Sequence, residues 1–238
     1  MRSGRRRRPP CMSDTYVLVP GAGGDSFYWQ LVAQRLRDAG HDVLAPDLPA
    51  GDESAGLPEY ADAIVAAADD ATGIVLVAQS MGAFPALMAC ERLDVASLVL
   101  VAPMIPAPGE TPGAWWAASG EQEAYREAER AAGRDPDRPF DVRDLFLHDV
   151  PEPVVQALFA RGEPRQADRP FGDPCAIDGW PDVPTRVIAG RHDRLMPLAF
   201  MQRLARERAG VEAEVVDAGH LPALAAPDEL TALLTRRG

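Results

Sequence analysis

Residues 74–83 read Ile-Val-Leu-Val-Ala-Gln-Ser-Met-Gly-Ala, and this stretch decides the fold. Its first five residues are apolar and predict a buried β-strand over Ile74–Ala78. A helical pattern begins only three positions later and covers Met81–Leu93. Because so few residues separate the strand from the helix, the stretch is typical of the repeating strand–helix unit of a parallel sheet with both faces covered.

The same alternation extends along most of the chain. Further strand patterns lie at Tyr16–Val19, Val43–Ala45, Leu98–Val101, Arg186–Ala189 and Ala213–Val216. Helical patterns lie between or after them, in a segment that Asp25 or Ser26 caps and Gly40 ends, and at Glu59–Ala68, Pro197–Ala209 and Pro227–Leu234. With 238 residues, of which 47% are hydrophobic, the chain can build one ordinary core. We therefore predict an α/β fold with a doubly wound, mostly parallel sheet.

The alternation is interrupted once, between residues 105 and 180. Helical stretches in this Pro-rich segment are predicted at Pro112–Ala132, Val142–Leu147 and Glu152–Ala160. A segment of this length is too long to be a loop. We predict that residues 105–180 form a helical cap over the carboxyl ends of the strands, where open α/β sheets bind ligands. Residues 13–104 and 181–238 then form the core of the domain.

The amino-terminal residues differ in composition from the rest of the chain. Residues 1–12 are rich in Arg, Pro, Gly and Ser, and no apolar segment follows that would make them a secretory signal. We predict that they form a disordered head or lie upstream of a true start at Met12. A short Arg run can also bind nucleic acid or a membrane, and the sequence leaves this alternative open.

Composition excludes several classes of protein. The formal net charge of −12 argues against a nucleic-acid-binding face, and no apolar run approaches the roughly 20 residues of a membrane span. The chain has no Lys, which excludes Schiff-base and pyridoxal-phosphate enzymes, and its three cysteines do not predict a disulfide framework or a zinc site. We expect a cytoplasmic protein that acts on a small molecule without a cofactor or a metal; the sequence does not indicate an oligomeric state.

Ser80 lies at the turn from the predicted strand into the predicted helix. The pattern small-x-Ser-x-Gly, with Ala78 and Gly82 as the small residues, is typical of a nucleophile elbow. The turn strains the backbone at the serine, so bulky residues two positions away on either side would clash. Ser80 could instead merely cap the helix, but the buried strand and the tight turn favour a nucleophile.

A serine nucleophile needs a base, and four histidines are available. His220 directly follows the last predicted strand, at the carboxyl end where catalytic side chains are expected, and is the predicted base. His41 stands at a helix end and is predicted to be structural. His148 lies in the predicted cap, where it lines a pocket or faces solvent.

The base in turn needs a carboxylate that fixes its tautomer. Asp193 lies on the loop after the strand Arg186–Ala189 and is the predicted acid. The alternative is an exposed turn in which Asp193 pairs with Arg191 or Arg194.

These motifs resemble those of the α/β-hydrolase superfamily, in which the triad follows the chain order Ser, Asp, His. The first strand and helix resemble the plant methylesterase and hydroxynitrile-lyase branch, whose Gly-rich loop commonly reads His-Gly-Ala where this chain has Pro20-Gly21-Ala22. The chain departs from the family at Pro20, at Ala78 in place of the first elbow Gly, and in beginning at what would be the third strand.

The resemblance implies an oxyanion hole formed by the backbone N–H groups of Ala22 and Met81, with Gly23 as the alternative donor. It also implies a substrate pocket under the cap, for which Gly23, Trp116, Phe146 and His148 are the candidates. The aromatic residues of the cap could instead form its own small core.

Three functions are compatible with these residues. The leading hypothesis is hydrolysis of an ester, thioester, lactone or amide through an acyl-enzyme on Ser80. Some relatives of this fold are lyases or assist cyclisation without acylation, and others bind a small molecule as receptors. The motif alone does not separate these possibilities.

Overall fold

A computed structural model describes residues 14–236, and its centre is one sheet of six parallel strands. The strands are β1 (Thr15–Val19), β2 (Asp42–Leu44), β3 (Ile74–Gln79), β4 (Val95–Val101), β5 (Thr185–Gly190) and β6 (Ala213–Val216). Their spatial order is β2-β1-β3-β4-β5-β6, and every neighbouring pair is parallel. The predicted fold class is confirmed, and the described sheet is wholly rather than mostly parallel. The predicted head lies outside the described residues.

Helices cover both faces of this sheet. Those of the core are α1 (Gln30–Asp38), α2 (Leu57–Ala68), α3 (Ala83–Cys90), α9 (Leu198–Leu204), α10 (Pro222–Ala225) and α11 (Pro227–Thr235). A 3₁₀ turn, Ser26–Trp29, precedes α1, and its amino-terminal cap is Asp25, whose carboxylate accepts the N–H of Phe27 at 2.8 Å. A π turn, Ala205–Ala209, continues α9.

Two-residue alternation along the strands explains why they are apolar throughout. In β1, Val17 and Val19 pack in the cluster that contains residues of α2, α3 and α9. Tyr16 and Leu18 point to the opposite face and pack with residues of α1 and α11. Because both faces are buried, every position of such a strand favours an apolar side chain.

Between β4 and β5, residues 105–180 form a segment that we call the insert. It contains α4 (Pro112–Ala118), α5 (Glu121–Ala131), α6 (Val142–Phe146), α7 (Glu152–Ala160) and α8 (Arg169–Gly172). The helical segment predicted at Pro112–Ala132 forms two helices, α4 and α5. Gly120 takes a left-handed conformation (φ +77°) and separates α4 from α5, and the Ser-Gly pair at 119–120 was the signal for this break.

Trp115 joins the insert to the core. Its side chain is fully buried, its indole N–H donates to the carbonyl of Ile105 at 2.9 Å, and its ring packs edge-on against Phe200 of α9. This tryptophan therefore stabilises the insert rather than lining a pocket. Across residues 14–236, no helix is both long enough and apolar enough to cross a membrane.

Candidate active site

The turn at Ser80 is held in a strained conformation by tight packing. Ser80 has a φ of +51°, a left-handed value that is uncommon for any residue other than Gly. A Cβ at Gly82 would lie 2.3 Å from the carbonyl oxygen of Pro20, so only glycine fits there. Strand β3 and helix α3 fix the two sides of the turn, and the serine stands between them at the carboxyl edge of the sheet.

The structure brings Ser80, His220 and Asp193 into one continuous series of contacts. Ser80 Oγ lies 3.2 Å from His220 Nε2, and His220 Nδ1 lies 2.8 Å from Asp193 Oδ2. All three residues are buried. With the ring proton on Nδ1, the imidazole donates to the carboxylate and offers Nε2 as an acceptor for the serine hydroxyl. This arrangement can take a proton from Ser80.

Both oxygens of Asp193 are bonded, which fixes the carboxylate in place. Oδ1 accepts the backbone N–H groups of Leu195 and Met196, at 2.9 and 2.8 Å. Oδ2 is therefore directed at the imidazole. These two hydrogen bonds lie within the loop after β5, and they orient the carboxylate before any substrate binds.

Asp193 does not form the exposed ion pair that the sequence left open. Its side chain is 0% exposed. Arg191 instead pairs with Asp217 at 3.1 Å, and Arg194 pairs with Asp144 of α6 at 2.5 Å. The partners of both arginines are therefore other carboxylates.

Close backbone packing brings the acid and base loops together. A Cβ at Gly190, where β5 ends, would lie 2.4 Å from the carbonyl oxygen of Gly219. His192 N–H donates to the carbonyl of Ala218 at 3.0 Å. The glycine at this crossing allows the two loops to approach closely enough for their side chains to bond.

The Gly-rich loop after β1 runs directly beside the serine. A Cβ at Gly21 would lie 3.0 Å from Ser80 Cβ, and the Gly24 N–H donates to the Gly21 carbonyl at 3.1 Å to close a turn. The Gly23 N–H donates to Gln166 Oε1 of the insert at 2.8 Å, so the alternative oxyanion donor is already bonded. The assignment of the Ala22 N–H as the donor of this loop stays a prediction.

The insert contacts the loops that carry the base and the acid. Phe146 packs edge-on against the ring of His220, with centroids 5.2 Å apart. His148 Nε2 lies 3.1 Å from the carbonyl oxygen of His192. The next residue, Asp149, accepts the Gly219 N–H at 2.5 Å. Sequence analysis did not identify Asp149.

The predicted pocket residues do not share one cavity. Trp116 lines a cavity of about 340 Å³, together with Glu121, Tyr125 and Leu145. His148 lines a larger cavity of about 520 Å³ on the side of Asp193 that is rich in arginine. Among the described residues that line these two cavities, Ser80 is absent. Phe146 contacts the ring of His220, whereas Trp116 and His148 line these two separate cavities.

Glu121 is a buried carboxyl that sequence analysis missed. It begins α5, is 4% exposed and lines the smaller cavity. Burial, with a further contribution from the negative charge of Asp193, raises the pKa of the Glu121 carboxyl from 4.5 to about 7. An acidic residue in the first turn of a helix is usually exposed, so no sequence pattern indicates that Glu121 is buried.

Glu121→Gln is expected to stabilise the protein at alkaline pH. Between pH 4.5 and about 7 the unfolded chain releases this proton while the folded chain keeps it, so wild-type stability falls as pH rises through that window. The gain from Glu121→Gln in the free energy of unfolding should be on the order of 2 kcal/mol larger at pH 8 than at pH 5. Urea denaturation at both pH values measures it. Glu127→Gln, at an exposed position of α5, is the control, and parallel pH profiles for wild type and Glu121→Gln would contradict the assignment.

Comparison with known proteins agrees with this architecture. The model of the alpha/beta hydrolase family matches residues 16–233. Methylesterase 7 of Arabidopsis thaliana is 26% identical over 249 aligned positions, covering 92% of this chain and 94% of that protein. Esterase PIR7B of Oryza sativa subsp. japonica is 34% identical over 111 positions, 41% of each chain. The predicted resemblance to the plant methylesterase branch is confirmed.

Solved structures share the fold over nearly the whole chain. An extracellular alpha/beta-hydrolase from a Paenibacillus species superimposes with a TM-score of 0.73 at 17% identity, covering 94% of this chain and 99% of that one. The methylesterase MES16 from Arabidopsis gives a TM-score of 0.71 at 19% identity, covering 93% and 97%. Since the family match begins in β1 and ends in α11, the chain belongs to the alpha/beta hydrolase family.

Proposed function

We propose that this protein is a serine esterase that hydrolyses a small carboxylic ester through an acyl-enzyme. The observation that carries the proposal is the bonded series from Ser80 through His220 to Asp193, at 3.2 and 2.8 Å. Relatives named as a methylesterase and an esterase support an ester as the substrate. The family also contains other chemistries, so the reaction must be tested on this chain.

Acylation begins when Ser80 Oγ attacks the ester carbonyl. His220 Nε2 accepts the serine proton, and the carbonyl electrons move onto the oxygen of a tetrahedral intermediate. The backbone N–H groups of Ala22 and Met81 donate to that oxyanion. When the intermediate collapses, the bond to the leaving alcohol breaks and His220 gives the alcohol its proton.

Deacylation repeats these steps with water as the nucleophile. His220 accepts a proton from water, the hydroxide attacks the acyl carbonyl, and a second oxyanion forms in the same hole. Collapse releases the carboxylic acid and returns the proton to Ser80. Throughout, the Asp193 carboxylate stabilises the imidazolium, because its oxygens are already directed by two backbone N–H groups and by Nδ1.

We further propose that the insert acts as a cap, and that the substrate binds between it and the sheet. The contact between Phe146 and His220, with ring centroids 5.2 Å apart, supports this position because a group bonded to Ser80 must pass close to the histidine ring. The apolar ring favours an apolar acyl or alkyl group in the ester. Substrate choice is then a property of the insert, whereas the chemistry belongs to the core.

A fluorophosphonate probe tests the acyl-enzyme. The wild-type protein should form one covalent adduct, and peptide mass spectrometry should locate it on Ser80, while a p-nitrophenyl ester should show a burst of phenolate followed by steady turnover. Heat-denatured protein is the control for non-specific labelling. Absence of both the adduct and the burst would contradict the proposed esterase activity and would favour a non-acylating lyase or a receptor.

Phe146→Ala is expected to change which esters are preferred. Removing the ring enlarges the space beside His220, so the ratio of kcat/KM for long over short acyl chains should rise about 10-fold. Phe159→Ala, at a residue that is 48% exposed on α7, is the matched control and should leave the ratio unchanged. A series of p-nitrophenyl esters measures both variants. An equal loss for every chain length would mean that Phe146 only supports the ring of His220.

A further inference from the structure

The side chain of Gln166 connects the insert to the Gly-rich loop beside Ser80. Its Oε1 accepts the Gly23 N–H at 2.8 Å. Its Nε2 donates to the hydroxyl oxygen of Tyr60 at 3.1 Å and to the carbonyl oxygen of Ala167 at 2.9 Å. The acceptor and both donor hydrogens of this amide are therefore all used, which fixes its orientation.

The anchor of this amide is rigid. Tyr60 belongs to α2 and is 0% exposed. Its hydroxyl oxygen accepts from the NH₂ group of Gln166, so the amide cannot rotate without losing bonds on both sides. The oxygen is thereby kept facing Gly23. Gln166 therefore links helix α2 of the core to the Gly-rich loop: Tyr60 fixes the amide, and the amide fixes the Gly23 N–H.

The neighbouring residues of the insert contact the same loop. A Cβ at Gly23, where φ is +87°, would lie 2.9 Å from Pro164 Cβ. Arg161 pairs with Asp25 at 2.8 Å and stacks over the ring of Phe27 with 4.3 Å to its centroid. These contacts hold the segment that carries Gln166 against the loop.

A Gly-rich loop needs such support to act as part of an oxyanion hole. Gly23 and Gly24 both have positive φ, and glycine permits many other backbone conformations there. Donors to an oxyanion are effective only when they are directed before charge develops. The bond to Gln166 fixes the peptide between Ala22 and Gly23 and so restricts the conformation of Ala22, the residue whose N–H is the proposed donor of this loop.

We propose that Gln166 is a positioning residue, which orders the oxyanion loop through Gly23 and so completes the site only when the insert is seated. The inference rests on the proposed function, because it assumes that Ser80 passes through a tetrahedral oxyanion. It predicts that removing the Gln166 amide lowers the rates of the steps that form this oxyanion and of no other step. Binding of the neutral substrate should change little, since Gln166 contacts the loop and not the nucleophile.

Gln166→Met tests the inference with a side chain of similar length that cannot accept the Gly23 N–H. We expect kcat for a p-nitrophenyl ester to fall about 10- to 100-fold, which is less than the loss caused by removing an oxyanion donor outright. KM should stay within about threefold of the wild-type value. An alkylboronic acid, which forms a tetrahedral adduct on a serine, should bind more weakly by a similar factor. Gln156→Met, on the exposed side of α7, is the matched control and should behave as wild type.

Two further variants keep the test decisive if Gln166→Met folds poorly. Gln166→Glu retains an oxygen for the Gly23 N–H and should recover part of the lost kcat. Tyr60→Phe removes the anchor of the amide and should lower kcat in the same direction but less. Thermal melting of each variant separates loss of fold from loss of position.

The outcomes distinguish this inference from the proposed function. If the wild type shows neither the fluorophosphonate adduct nor the burst with a p-nitrophenyl ester, the esterase assignment fails. If the wild type acylates and Gln166→Met retains wild-type kcat and boronate affinity, only the positioning role is overturned. Weaker binding of the unreacted ester with unchanged rates of acylation and deacylation, measured by single-turnover kinetics, would likewise overturn it, since that result would place Gln166 in substrate binding.

Discussion

Ser80→Ala is expected to lower ester hydrolysis by about 10⁴- to 10⁶-fold while leaving the protein folded. The loss is large because the hydroxyl of Ser80 is the group that would form the acyl bond, and His220 Nε2 lies 3.2 Å from it. The fold should persist because the substitution removes one small polar atom from a turn held by β3, α3 and Gly82. Steady-state kinetics and thermal melting measure the two effects.

The variant His220→Ala shows whether the serine and the histidine act as a unit. Its loss should be similar to that of Ser80→Ala, and the double variant should be little worse than either single variant. Ser54→Ala, at an exposed loop position, is the control for the effect of removing a hydroxyl. Losses that multiply in the double variant would contradict the coupling of these two residues.

Asp193→Asn is expected to lower kcat by up to about 10⁴-fold, because it changes the tautomer of His220. The Leu195 and Met196 N–H groups require an acceptor, so the amide oxygen of Asn should stay with them at the position of Oδ1. Its NH₂ group then faces His220 Nδ1, which must become an acceptor. The ring proton moves to Nε2, and the base can no longer take a proton from Ser80.

Asp217, on the loop that leads to His220, provides the matched control. Asp217 is exposed and pairs with Arg191 and His192, so Asp217→Asn should keep activity within about twofold of wild type. Asp193→Asn should also be folded, because the substituted amide keeps the bonds to the loop. Activity of Asp193→Asn within a few-fold of wild type would mean that another carboxylate orients the histidine.

The insert contacts the loops that carry the candidate catalytic residues as well as the Gly-rich loop. Asp149 bonds the loop of His220, His148 contacts the loop of Asp193, and Gln166 bonds the Gly-rich loop. Arg194, next to the acid, pairs with Asp144 of α6. Opening of the insert would break these bonds together, so substrate entry and the order of the catalytic loops are expected to be coupled.

The fold class and the candidate nucleophile could be predicted from the sequence, because both depend on local patterns. Runs of apolar residues such as Ile74–Ala78 indicate burial on two faces. The small residues on either side of Ser80 are those that a sharp turn at the serine requires. His220 and Asp193 could be proposed because parallel strands end at one edge, so the loops that follow them share a surface. The break between α4 and α5 at Gly120 is also a local feature.

Only the tertiary structure decided which polar groups meet across the chain. Gln166 and Gly23 are 143 positions apart, and Asp149 and Gly219 are 70 apart, with no periodicity to relate them. Glu121 looks like an ordinary first-turn acid, yet folding buries it near Asp193 and raises its pKa to about 7. Apolar burial follows from pattern because it is non-directional, whereas a hydrogen bond or an ion pair depends on distances of a few ångströms that loop conformation alone sets.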